Sequence, residues 1–171
     1  MKRALVLFLI GCGGGGGAAP DAAPGVAPDA TPTTSVHRVT VTQPADGNPC
    51  RLAGWDALAG PLELDLATTP TATTVQLVGA LGDFVHANVS TEPLAGQLAG
   101  GHLDATHPGT IPLQTGYCTY MLDAIVSASV DGAGAVTGTL ALALASPGVD
   151  CGNYPTPAIG CRSISTLTPA P

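Results

Sequence analysis

Residues 119–145 read TYMLDAIVSASVDGAGAVTGTLALALA, and their alternation decides the fold class. Tyr120, Leu122, Ala124, Val126, Ala128 and Val130 recur at a spacing of two. Asp123, Ser127 and Ser129 occupy the opposite positions. Successive side chains of a β-strand point to opposite faces, so this pattern predicts a strand with one buried face. Asp131-Gly132-Ala133-Gly134 follows, where glycine accepts the positive φ of a tight turn. The return run places Val136, Leu140, Leu142 and Leu144 inward and Thr137 and Thr139 outward. The segment is expected to form a β-hairpin.

The same period extends through the rest of the chain. From Val36 to Gln43, Val39 and Val41 oppose Arg38, Thr40 and Thr42. From Pro61 to Leu66, Leu62, Leu64 and Leu66 oppose Glu63 and Asp65. Residues 73–81 put Val75, Leu77, Gly79 and Leu81 on one side. Phe84 to Val89 is expected as a neighbouring strand, and Leu94 to Leu103 as one strand interrupted by glycines. No stretch has a convincing helical period, although Leu52 to Leu58 fits one turn around Trp55. About seven short strands between turn residues predict an all-β domain, an antiparallel sandwich or a small barrel.

The amino terminus carries a different signal, MKRALVLFLIGCGGGGG. Lys2 and Arg3 precede a seven-residue apolar run, Ala4 to Ile10. That run is far shorter than the ~20 residues a membrane-spanning helix needs, and it fits an export signal. Leu9-Ile10-Gly11-Cys12 resembles the lipobox of bacterial lipoproteins. The resemblance covers the first twelve residues only. It implies a signal peptide over residues 1–11, cleavage before Cys12, and acylation of that thiol and of the new amino terminus. It also implies a location in the bacterial cell envelope. Gly13 stands where an Asp would favour the inner membrane, so the outer membrane is expected. Two or more acyl chains anchor stably, whereas one binds only marginally.

Residues 13–34, GGGGGAAPDAAPGVAPDATPTT, have almost no apolar bulk to offset the entropy of ordering. Lipidated Cys12 and this segment are read as a tether over residues 12–34, and residues 35–171 as one β-rich domain. At about 3.1 Å per residue the tether could reach roughly 70 Å.

Beyond Cys12 remain Cys50, Cys118, Cys151 and Cys161. In an exported domain four cysteines suggest two disulfides, with three connectivities open. Cys151 and Cys161 bracket a short Gly/Pro-rich segment where local pairing is sterically easy, and this leaves Cys50 for Cys118. A cysteine-ligated metal is not expected, because no C-x2-C pair occurs.

Without residues 1–11 the chain keeps three arginines against twelve carboxylates, a net charge near −9. That balance argues against nucleic acid and against electrostatic docking to anionic lipid. His102, Asp104 and His107 form the only close His/Asp group. On a strand, His102 and Asp104 share a face, and His107 could return through Pro108-Gly109. They are candidates for a metal site or an acid/base pair, and as readily for solvated polar residues at a strand end. No G-x-S-x-G nucleophile motif is present. His37 and His86 are isolated. The expected role is therefore non-enzymatic, without a cofactor: a structural or protein-interaction domain, attached to the membrane through Cys12, with a protein partner in the envelope. Two alternatives stand beside it. One is a small-molecule or lipid carrier with an apolar barrel cavity; the other is a metal-assisted enzyme using His102, Asp104 and His107.

Overall fold

The computed structural model describes residues 31–115, 118–147 and 160–171. Cys12, nearly all of the tether and Cys151 lie outside the described residues. The strands are β1 (Thr33–Thr42), β2 (Gly60–Thr68), β3 (Thr73–Val78), β4 (Leu94–Ala99), β5 (His102–His107), β6 (Leu113–Thr115), β7 (Cys118–Val130), β8 (Val136–Pro147) and β9 (Arg162–Pro169). One helix, α1, spans Ala80–Asn88, and a short 3-10 turn spans Trp55–Ala57.

Eight of the strands close into an antiparallel barrel. β1 to β5 pair in sequence order, β5 pairs with β7, β7 with β8, β8 with β9, and β9 returns to β1. β6 adds only a short ladder to the start of β7. Of the two expected architectures the barrel is the one formed, because the β5–β7 and β1–β9 ladders leave no second sheet. The registers also fix its stagger. Directly paired residues lead from Thr33 through Thr68, Thr73, Gly96, Ala105, Val126 and Leu140 to Ser165. β9 then continues past Thr42↔Thr166, which sets Ser165 beside Gln43. One lap thus advances ten positions along the line of β1. Such a shear tilts the strands by ~35–45° and leaves ragged barrel ends.

The period-two pattern becomes the two faces of the wall. Val39, Leu62, Leu64, Leu66, Leu77, Leu103, Leu122, Leu140, Leu142 and Leu167 are buried inside and belong to one cluster. Eight strands enclose a width that side chains can fill. Each such side chain contributes roughly 1.5–3 kcal/mol on burial. Two inward glycines let the wall close tightly. Gly96 lies opposite Ala105 and Gly138 opposite Ala128. A Cβ at Gly96 would strike Asp104 O and the Ala105 methyl; one at Gly138 would strike Ser127 O and the Ala128 methyl.

Four expectations are corrected. Residues 84–89 are not a strand but belong mostly to α1, and β3 stops at Val78 rather than running to residue 81. Leu81, Val85 and Val89 are spaced by four and all buried, so the segment serves one helical stripe. Leu94 to Leu103 is not one strand. Gly100 (φ +58) and Gly101 (φ +79) reverse the chain between β4 and β5. The disulfide pairing also differs: Cys50 bonds to Cys161, with Cα atoms 5.3 Å apart. This excludes Cys50–Cys118 and Cys151–Cys161. The reason is tertiary. The loop after β1 runs beside the start of β9, where Ile164 N donates to Gly47 O at 2.6 Å, and this sets Cys50 next to Cys161. That is the one disulfide between described residues; Cys118 is also disulfide-bonded, to a cysteine outside them. Finally, β9 was absent from the sequence expectation although its Ser163, Ser165 and Leu167 face inward. Two serines on the buried face hide its alternation.

Candidate functional site: the outer wall and the two barrel ends

Asp104 and His102 sit on the outer face of β5, alternating with buried Leu103 and Ala105. Across the ladder, Asp104 faces Ser127 and His102 faces Ser129. Ser127 Oγ donates to Asp104 Oδ1 at 2.8 Å. Around them lies an open depression of about 490 Å³, floored by β4, β5 and β7 with Ala95, Gln97, Thr106 and Ile125 at its sides. Short alanines on β4 make it hollow.

His107 does not join this pair. It is odd in register against 102 and 104, so it falls on the other face of β5. Its ring Nδ1 meets Pro108 O at 2.6 Å. The expected cluster of His102, Asp104 and His107 is thus split by strand parity, and no group of three metal-ligating side chains occurs among the described residues. His102 and Asp104 keep a shared face, with a serine rather than a second imidazole as the neighbour.

One barrel end is plugged. β1 stops and β2 and β3 begin or end there, and α1 lies across the opening. The helix packs against β2, β3 and also β7, which lies three strands beyond β3 around the wall. An element touching both sides spans the mouth. Leu81, Val85 and Val89 point into the core, and Trp55 is fully buried beside them. The Trp55 and Phe84 rings meet edge to face at 6.0 Å and 71°. Gln76 on the outer face of β3 hydrogen-bonds His86 of α1 at 2.7 Å. Val89 O at the end of the helix accepts from Thr110 N at 2.8 Å and Ile111 N at 3.1 Å. The plug is thereby fixed on both sides.

A short polar network lines the same end. Ser163 Oγ donates to Asn48 Oδ1 at 2.9 Å, and that oxygen also accepts from Leu52 N at 2.8 Å. Ser165 Oγ donates to Gln43 Oε1 at 2.8 Å. Gln43 Nε2 and Trp55 Nε1 are buried donors without a hydrogen-bond partner. Such groups are uncommon inside proteins, since each forgoes a hydrogen bond available in water.

The other end is held by His37, which the sequence left as an isolated residue. It follows the inward parity of Val39 and Val41 and bridges two elements. Its Nδ1 lies 2.7 Å from Gly134 O in the β7–β8 turn, and Nε2 lies 2.8 Å from Ser35 Oγ. The turn itself is rigid, because Asp131 Oδ1 accepts from Ala133 N and Ala135 N at 2.9 and 2.8 Å. Only the alternation of His37 with Val39 and Val41 signalled its inward placement.

No family model, curated protein or solved structure matches this chain.

Proposed function

We propose that this chain is a lipid-anchored protein of the bacterial cell envelope. Its barrel is a non-enzymatic domain with a structural or protein-interaction role, working through its outer surface. The observation that carries the reading is the barrel interior. Leucines and valines from around the wall occupy it, and Trp55 and α1 plug one mouth. Binding then falls to the outside, where His102 and Asp104 meet a serine and not a catalytic set. The lipobox-like Leu9 to Cys12 supplies the anchor and Gly13 the outer-membrane preference. The Cys50–Cys161 bond fits an oxidising compartment. We further assign Cys151 as the partner of Cys118, which makes two disulfides.

The test is intact mass spectrometry on the chain recovered from bacterial membranes. The expected species lacks residues 1–11, carries diacylglycerol and a third acyl chain, and is four hydrogen atoms lighter than its reduced form. Cys12→Ser is expected to lose the lipid and leave the membrane fraction. An unprocessed chain in that fraction would overturn the anchor.

A small-ligand carrier is the second reading. The closed eight-stranded barrel favours it, together with Gln43 Nε2 and Trp55 Nε1, two buried donors without a partner. An organic adduct retained on the native protein would select it; a ligand-free mass would remove it.

A further inference from the structure

Asp104 stands at the centre of the hollow on the outer wall. The register sets it in one row with Gln97 of β4 and Ser127 of β7. The row on one side holds Ala95, Thr106 and Ile125, and the row on the other holds Ala99, His102 and Ser129. Neighbours within a row lie about 4.8 Å apart, and the rows themselves about 6.8 Å. The carboxylate thus has hydrogen-bonding side chains on both flanks across the strands. Ala95, Ala99 and Ile125 take three of the four corners, and the space above them is about 490 Å³.

The charge at this centre has no counterpart. Ser127 Oγ donates to Asp104 Oδ1 at 2.8 Å, and Oδ2 has no partner among the described residues. No lysine, arginine or histidine comes within ion-pair distance of Asp104 among them; the ion pair they hold is Arg38–Glu63. Several guests are therefore unsuited. An anion would meet a carboxylate and no fixed cation. A metal ion would find His102 and Asp104 but no third ligating side chain among the described residues. A wholly apolar guest would bury the Asp104 charge without a partner, which is costly. A second copy of this chain shares its excess of carboxylates over arginines and is repelled by it. A cation on an alkyl stem suits both the centre and the corners, since such a stem lies along apolar surface while its head keeps polar company.

We infer that this hollow receives an arginine side chain of a basic partner protein, its guanidinium on Asp104 and its stem against Ala95 and Ile125. Arginine fits better than lysine for two reasons. Its planar fork of five donors can serve Asp104 Oδ2 and Gln97 Oε1 on adjacent strands together, and it is more weakly hydrated than an ammonium. The excess negative charge of the chain steers such a partner to the wall. The inference rests on the protein-interaction reading of the outer surface and names the chemistry of its partner. One exposed pair is weak, so a lone arginine should bind with a dissociation constant on the order of millimolar.

The test is a nuclear magnetic resonance titration of the isotope-labelled full chain, in neutral detergent, with N-acetyl-arginine amide. Amides of residues 97, 102–106 and 125–129 should shift together. N-acetyl-citrulline amide, which has the same shape without the charge, should bind about fivefold more weakly or worse, and so should arginine amide on Asp104→Asn. An unchanged melting temperature shows that this variant folds; Gln97→Ala, which should also weaken binding, replaces it if not. Equal binding of citrulline, indifference to both variants, or equal shifts around Glu92 and Asp131 would overturn the inference. A photo-cross-linking side chain at Thr106 or Thr137 of the full chain, in the membranes of its own cells, separates it from the interaction reading. An adduct from position 106 that maps beside an arginine and is lost with Asp104→Asn supports both. An adduct from 137 alone leaves an interaction domain without this site and overturns the inference. No adduct from either position removes the interaction reading and the inference with it.

Discussion

The two ends of the barrel are closed by different physics. At the plugged end an aromatic pair, a helix and a disulfide shut the mouth with buried apolar surface and a covalent tie. At the hairpin end one imidazole bridges β1 to the β7–β8 turn. Burial is non-directional and strong, and it keeps an end shut. A polar staple is directional and weak in net terms, because water competes for the same groups. The plugged end is therefore the stable half, and the hairpin end is the weaker one.

The strongest challenge to this contrast is Trp55→Ala. It should cost about 3–5 kcal/mol, read from urea denaturation, since the cavity forms beneath α1 where nothing can collapse into it. A loss below about 1 kcal/mol would mean that the plug is decorative. Removing the disulfide as Cys50→Ala with Cys161→Ala should cost about 2–5 kcal/mol, because the bond closes a sequence separation of 111 residues. Its effect should be seen in thermal melts as a lowered but still cooperative transition.

Towards the hairpin end, Gly138→Val should destabilise by about 1–3 kcal/mol by driving a side chain into Ala128. Gly132→Ala, in the neighbouring turn with open space around it, should be near neutral and serves as the paired control. The smallest effect belongs to His37→Ala, at about 1 kcal/mol. Hydrogen exchange should locate it: amides of residues 131–136 should speed up while those of α1 do not change. Faster exchange at α1 would show that the two ends are coupled and not independent.

Much of this architecture was legible in the residue pattern. The hairpin of β7 and β8 followed from ten inward positions of alternating strands and a Gly-rich turn. β1 and β2 followed from the Val39/Val41 and Leu62/Leu64/Leu66 alternations. The helix was not legible, because nine residues with Gly82 among them carry a weak period; its stripe of Leu81 and Val85 acquires meaning only over a barrel mouth. β9 was hidden by Ser163 and Ser165, whose burial depends on Asn48 and Gln43 more than a hundred positions away. The candidate cluster was half legible. Strand parity gave His102 and Asp104 a common face, and the same parity denied it to His107 once the strand ran straight through residue 107.

By itself the sequence determined the all-β class, the inward and outward faces of most strands, the acidic surface and the lipobox-like start. These are local properties, set by side-chain period and by composition. The closure of eight strands into a barrel, the ten-position stagger, the Cys50–Cys161 pairing and the plug were decided only in three dimensions. Each depends on which distant segments meet, and that is settled by the collective burial of the interior and by no single stretch of chain.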